Sequence, residues 1–228
     1  MKKTFLNWSS GKDCAMALHF MQQSGKYDVQ KLFTTVGKAE KRVGMHGLRE
    51  EVLKRQAAAI GLPLEIAYLP KDDSHEAYNQ LMRERMTQFR KEGFEYAAYG
   101  DILLEDLRVY REKQLSEVGM QAIFPLWQKN TEKLLVDFIE KGFKAIVVAA
   151  SDKYFDKSVL GKKLNRDFMK NLPQKVDPCG ENGEFHTFCY DGPMFKHPVD
   201  FKLSEKVVKS YPNPQVGKDL QFHFIDII

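Results

Sequence analysis

The chain has 228 residues, 43% of them hydrophobic, and its 35 basic and 31 acidic side chains leave a net charge of +4. That length and apolar share suit one α/β domain, or one domain with a small appendage, and argue against a disordered chain. The charges interleave as on a solvated surface and give only weak support to nucleic-acid binding, so nucleic acid is not the expected partner.

No apolar run approaches the ~20 residues of a membrane helix, and Met1-Lys2-Lys3 leads into no signal-peptide core. Cys14, Cys179 and Cys189 show no C-x-x-C spacing and suit a reducing compartment, so a cytoplasmic protein is expected.

In chain order, Thr4–Trp8 reads as a strand and Asp13–Gln23 as the helix after it. Val29–Thr35 is a second strand, followed by a connection at Gly37–Gly44. A helix over Gly47–Ile60 is stopped by Gly61 and Pro63. Leu64–Leu69 is a third strand, and Ser74 is the N-cap of a long charged helix. Tyr96–Tyr99, a helix over Glu105–Gly119, Ala122–Phe124 and a helix over Thr131–Lys141 follow. Ala145–Ala150 is a continuous apolar run of the kind found in buried parallel strands.

This alternation predicts an α/β fold, a parallel sheet flanked by helices. From Asp177 onward, turn signals separate short runs at Phe185–Tyr190, Phe195–Leu203 and Leu220–Ile225, a smaller β-rich part. The expected division is 1–165 and 166–228, with Leu220–Ile228 as an edge open to pairing.

Three segments carry chemistry. The first is Ser9-Ser10-Gly11-Lys12-Asp13-Cys14, a strand-to-helix loop. Backbone N–H groups and the helix dipole make such a place an anion site. Gly11 permits close approach or positive φ, Ser10 is tolerable at negative φ, and Lys12 supplies a mobile charge. Asp13 would repel a phosphate unless a cation stood between them, which suggests a Mg²⁺ ligand or a helix cap. Cys14 at a helix amino end has a lowered pKa in principle, yet it reads as a stand-in for serine rather than a nucleophile. An ordinary polar turn explains the residue types equally well. The loop is not the Walker pattern.

The second segment is Gly100-Asp101 and the helix after it, where Glu105, Arg108 and Glu112 share one face. They form either a polar cluster at the cleft or a surface ion network; Asp101, on the loop, is the better candidate. The third segment, Asp177 to Thr187, sets Gly180, Glu181, Asn182, Gly183 and Glu184 in a turn ahead of a strand bearing His186. A zinc site from Cys179, His186, Cys189 and His197 matches no usual spacing.

The first loop resembles the S-G-G-x-D-S loop of N-type ATP pyrophosphatases, with Ser10 for a glycine and Cys14 for the last serine. All three segments, with Pro125-Leu126-Trp127 and Asp191-Gly192-Pro193-Met194-Phe195, resemble the diphthine–ammonia ligase family over roughly residues 1–200. Asn182 and His186 stand where that family resembles glycine and glutamate, and His186 would titrate near neutrality.

The resemblance implies an adenine-nucleotide α-hydrolase-like fold and an amide ligase. A carboxylate on a protein, such as diphthine in translation elongation factor two, or on a small molecule attacks the α-phosphorus of ATP. Pyrophosphate leaves, and ammonia or another amine displaces AMP. Under it Ser9, Ser10, Gly11, Lys12, Asp13 and Cys14 hold ATP with Mg²⁺ at Asp13, and Thr34 and Thr35 face the nucleoside. Lys12, Asp13, Asp101 and Glu184 are the catalytic candidates. Gly100, Glu105, Arg108, Glu112, Gly180, Glu181, Gly183, Glu184 and His186 line the acceptor. The extra C-terminal domains of longer relatives, and with them a built-in ammonia source, are not expected. Competing readings are a tRNA-modifying pyrophosphatase and a nucleotide-binding module without turnover.

Overall fold

The hydrophobic pattern resolves into two sheets that share one core, seen in a computed structural model describing residues 1–69, 74–211 and 219–228. The first sheet contains β1 (Lys2–Asn7), β2 (Tyr27–Gly37), β3 (Leu64–Leu69), β4 (Tyr96–Ala98) and β5 (Gln121–Ile123). Its order is β3-β2-β1-β4-β5 and every pairing is parallel. The chain runs outward from β1 first through β2 and β3, then back through β4 and β5. The order therefore reverses between β1 and β4, where open α/β sheets bind ligands beyond the strand ends.

Alternate side chains on a strand face opposite ways, which sorts the core into two layers. Leu6 and Leu32 face α1 (Lys12–Ser24) and α2 (Glu50–Ile60), and Phe5 and Phe33 face α3 (His75–Lys91) and α4 (Glu105–Ser116). Phe89 of α3 sits with its ring centroid 4.7 Å from that of Phe5 and 5.3 Å from that of Phe33. The ends of the helices follow their signals. Ser74 caps α3 by accepting from the Ala77 N–H, and Gly61, at φ 82°, closes α2.

The second sheet differs from expectation in three respects. It contains β6 (Lys144–Ser151), β7 (Phe185–Asp191), β8 (Leu203–Tyr211) and β9 (Leu220–Ile227), all antiparallel, in the order β7-β6-β9-β8. The run Ala145–Ala150 is thus not a parallel strand. It is apolar throughout because β6 is covered on both faces, by the shared core and by a cluster of Ala149, Phe222 and Phe224. The strand expected at Phe195–Leu203 is irregular chain that contains Pro198. Phe201 pins it by packing 5.5 Å from Phe188 and 5.1 Å from Tyr190, between ring centroids. The expected edge at Leu220–Ile228 lies inside the sheet, since β9 pairs with β6 on one side and β8 on the other.

The second sheet takes β6 from before residue 165, so the division expected there falls after its first strand. After β6 the chain forms a short helix, α6 (Arg166–Lys170), whose Phe168 packs edge-on against Phe185 at 5.5 Å. α5 (Thr131–Glu140) contributes Leu134, Leu135 and Phe138 to the shared core. The segment between β2 and α2 clasps the second sheet. Its Arg42 and Arg49 both reach Asp226 of β9, and Gly47 lies so close to Phe224 that a Cβ there would stand 2.9 Å from the ring.

Candidate active site at the amino end of the first helix

The loop after β1 is held from the second sheet. The Ser10 carbonyl accepts from the Cys189 N–H at 2.9 Å and from Gln56 Nε2 at 3.0 Å. Gln56 is fully buried and also joins Trp8 Nε1 (2.7 Å) to the Cys189 carbonyl (2.6 Å), so its amide is well used. These bonds hold Ser10 at φ 75°, the left-handed region, contrary to the negative φ expected for a serine. Its hydroxyl is buried with no hydrogen-bond partner among the described residues.

Gly11, by contrast, is extended at φ −81°. A side chain there would be crowded, because a Cβ would stand 3.0 Å from His46 Cε1 and 3.3 Å from the Thr187 carbonyl oxygen. Thr187 Oγ1 accepts from the Lys12 N–H at 3.0 Å, which caps α1 from β7 and occupies one of the free donors expected at this helix end.

Lys12 is buried rather than mobile. Its Nζ bonds both oxygens of Asp13 (2.9 and 2.7 Å) and donates to the Cys179 carbonyl. Burial disfavours its charge, but Asp13 and the neighbouring acids outweigh that and raise its pKa. Cys14 donates its thiol to the Gly11 carbonyl at 3.1 Å. Burial overrides the helix end and pushes this thiol up to about 11, against the opposing effect of Ser9, so the lowered value expected there does not occur. Ser9 donates to Cys14 Sγ at 3.5 Å.

The β4–α4 loop meets this helix end directly. A Cβ on Gly100 would stand 2.8 Å from both the Asp13 carbonyl carbon and the Cys14 nitrogen, so only glycine allows the approach. Asp101 pairs with Arg111, whose Nε lies 3.1 Å from Oδ2 but out of line for a hydrogen bond. Burial raises the Asp101 pKa, Arg111 opposes this, and Asp13 adds to it. Arg111 also lies 4.0 Å above the Tyr99 ring.

The face of α4 that turns to the site is therefore the one bearing Arg111. Arg108 and Glu112 pair with each other at 2.8 Å, with the guanidinium over Trp127, and Glu105 is exposed. The surface-network reading holds for that pair. Beside Arg111 a cavity of about 100 Å³ opens at the ends of β1, β2 and β4, lined by Asn7, Thr35, Tyr78, Tyr99 and Tyr110 among others. Thr35 reaches it. Thr34 is buried and is not among its lining.

The third segment closes over the other two. Asp177 Oδ1 accepts from the N–H groups of Cys179 (2.8 Å) and Glu181 (3.3 Å), which folds the turn. Glu184 is fully buried and accepts from the Asp177 and Asn182 N–H groups (2.9 and 2.8 Å) and from the Asn182 amide (3.1 Å). Among the described residues its carboxylate accepts only from its own loop and so clasps that turn. Gly180 and Gly183 take φ 73° and 78° in the same turn.

Glu181 reaches outward and accepts from the N–H groups of Ile102 (3.1 Å) and Leu103 (3.2 Å), tying this loop to the β4–α4 loop. Burial and the Asp13 charge push it up to about 7, against Lys12 and those two donors. His186 does not titrate near neutrality: burial, His46 and Lys12 hold its pKa well below 6.5. His46, absent from the sequence expectations, lies beside it with ring centroids 4.8 Å apart. Burial pushes His46 down to about 4, with Lys12 adding to this and the Thr187 carbonyl opposing it. Gln56 and His46 lack any local motif, and Arg111 and Thr187 lie inside the second and third segments without being among the expected site residues; the folded chain brings all four here.

The donor set fits an anion better than a closed metal site. Among the described residues no group of three or more His, Cys, Asp or Glu is arranged to hold a metal ion, which also leaves no zinc site of Cys179, His186, Cys189 and His197. Mg²⁺, which commonly takes one or two carboxylates together with phosphate oxygens, could use Asp13 only once Lys12 shifts from it. The buried, unpartnered Ser10 hydroxyl and the crowding at Gly11 suit a phosphate cradle. A more spacious groove, about 580 Å³ along Tyr154, Phe155, Phe168 and Leu172, contains none of these residues.

Fold and site thus define an α/β protein whose first strand-to-helix loop is held by a second, antiparallel sheet. Comparison with known proteins agrees. The diphthamide synthase N-terminal domain matches residues 1–122 and the diphthamide synthase C-terminal domain residues 130–212, and the chain belongs to the diphthamide synthase family. It is similar to the diphthine–ammonia ligase of Schizosaccharomyces pombe, at 30% identity over 162 residues, covering 69% of this chain and 26% of that protein. It is similar also to the diphthine–ammonia ligase of Rattus norvegicus, at 34% over 125 residues, covering 53% of this chain and 47% of that protein. The chain therefore spans less than half the length of these curated relatives. A solved structure described as a predicted subunit of tRNA methyltransferase from Methanocaldococcus jannaschii overlays with a TM-score of 0.39 at 16% identity, covering 68% of this chain and 81% of that one. That likeness is too loose to bear on fold or function.

Proposed function

We propose that this chain is an ATP-dependent carbon–nitrogen ligase that adenylates a carboxylate, releases pyrophosphate and transfers ammonia, as the names of its relatives suggest for diphthine. The observation that carries this reading is the convergence of three distant segments on the amino end of α1. Gly100 packs on Asp13, Lys12 bonds the Cys179 carbonyl, and Glu181 bonds the Ile102 and Leu103 N–H groups.

Adenylyl transfer needs positioning and charge neutralisation more than covalent help from the protein. In this proposal Ser9, Ser10 and Gly11 cradle the departing phosphates. Lys12 turns from Cys179 to neutralise them, and Asp13 would hold Mg²⁺, which would supply further charge neutralisation. Asp101, Arg111 and Glu181 face the acceptor carboxylate. Glu105, Arg108 and Glu112 have no part in it. No described helix is long and apolar enough to cross a membrane, and the three free, buried cysteines suit a cytoplasmic setting.

Incubation with ATP, Mg²⁺, ammonium chloride and diphthine-bearing elongation factor two should release AMP and pyrophosphate, with amide formed on the acceptor. ADP and orthophosphate would sink the reading, and tight ATP binding without turnover would favour a nucleotide-binding module.

A further inference from the structure

His46 and His186 form a pair beside the phosphate loop that the reaction as described leaves unused. His46 comes from the segment between β2 and α2, and its Nδ1 lies 3.2 Å from the Thr187 carbonyl oxygen. A carbonyl only accepts, so Nδ1 carries the proton, and in the neutral ring Nε2 keeps a lone pair. The same ring fixes the space at Gly11, where a Cβ would stand 3.0 Å from its Cε1. His186 lies tilted against this ring, centroids 4.8 Å apart, and near-parallel to Phe222 at 6.5 Å. Its ring nitrogens make no hydrogen bond among the described residues, and neither is among the polar atoms buried without a partner.

The pair has three chemical properties. It is clamped on its carbon faces, so its nitrogens are fixed in direction. It stands against the phosphate loop, on the side of Gly11 and Thr187. It is kept neutral by burial and by the nearby Lys12 charge. A site with those properties repels a cation and accepts a hydrogen bond from a neutral donor. An ammonium ion has no lone pair to attack with, whereas free ammonia has both a lone pair and N–H donors.

Resting on the ligase reading above, we propose that His186, held in place by His46, seats the nitrogen nucleophile by accepting one of its N–H groups. In the transfer step the ammonia lone pair forms a bond to the acyl carbon of the mixed anhydride. The bond from that carbon to the phosphate oxygen breaks, and AMP leaves with the electron pair. The surplus proton on nitrogen passes to water, and His186, held neutral, takes part as a hydrogen-bond acceptor and not as a base.

Two half-reactions separate this inference from the reading it rests on. Acceptor-dependent exchange of labelled pyrophosphate into ATP needs no ammonia, whereas amide formation does. His186→Phe keeps the ring packing and removes the acceptor, and His186→Gln keeps an acceptor. Both variants should retain exchange within about twofold of the parent chain. The apparent KM for ammonia should rise about tenfold in His186→Phe, as for the loss of one hydrogen bond. His186→Gln should restore most of that KM. Imidazole ¹⁵N signals of the unsubstituted chain should shift for His186 on addition of ammonium chloride at alkaline pH, a readout independent of either variant.

Exchange that is intact with an unchanged ammonia KM in His186→Phe overturns the inference, as does a ¹⁵N spectrum unmoved by ammonia. Parallel loss of exchange and amide formation in both variants would make His186 structural. Absence of exchange in the unsubstituted chain defeats the ligase reading, and the inference falls with it.

Discussion

Ser10 is a serine in a glycine's conformation. At φ 75° an L-residue pays about 1–2 kcal/mol in local strain, and its buried, unpartnered hydroxyl adds to that. Ser10→Gly should therefore stabilise the free protein by about 1 kcal/mol, after allowing for the greater freedom of glycine in the unfolded chain. The midpoint of urea unfolding should rise with an unchanged slope; an unchanged or lower midpoint would show that the loop pays no such strain. Residue types told part of this story in advance. The resemblance marked Ser10 as a departure from glycine, but the sign of its φ depends on bonds from Gln56 and Cys189, 46 and 179 residues further along the chain. The same holds for His186, whose titration could not be read from its type because burial decides it.

Elements were legible where periodicity and caps agreed, as in α2, α3 and β2. They were misread where one signal has two causes. A run such as Ala145–Ala150 shows only that both faces are covered, which a parallel strand in an α/β sheet and β6 in an antiparallel sheet satisfy alike. β8 was missed for the opposite reason, since Leu203–Tyr211 is mostly exposed and carries little apolar signal. α2 illustrates how an element can serve a site by its rear face. Gln56 on that helix satisfies Trp8, Ser10 and Cys189 at once. Gln56→Leu would keep the volume but take a partner from Trp8 Nε1 and from the Ser10 and Cys189 carbonyls, of which Ser10 keeps the Cys189 N–H, and it should cost about 2–3 kcal/mol. Thermal and urea unfolding measure this, and a loss below about 0.5 kcal/mol would mean that water or backbone movement replaces the amide.

Across the whole molecule the two sheets are joined by the Arg42–Asp226–Arg49 cluster as well as by the core. Burial works against the charge of Asp226, but hydrogen bonds and charges from both arginines win and hold its pKa below 3.8. A depressed acid contributes stability that is fully present above its unfolded value and is lost as the pH falls through its folded one. Asp226→Asn should cost about 2–3 kcal/mol at pH 7, the lower end for an ion pair whose arginines reach solvent. It should also flatten the fall in stability below about pH 4. Unfolding followed from pH 2 to pH 7 tests both, and a variant with the parent's acid slope would show that the clasp is not what acid breaks.

The place of β7 has a consequence for synthesis. Thr187 and Cys189 grip the first loop from β7, which, among the described strands, pairs with β6 alone and is made after every strand of the parallel sheet. The parallel half can collapse early around β1, because its five strands are all made by residue 123. Its first loop then waits, uncapped, for about 60 more residues at ribosomal speeds of about 5–20 residues per second. During those seconds the nascent chain holds a nearly finished sheet whose first helix has no cap. Thr187 supplies that cap only when β7 has been made.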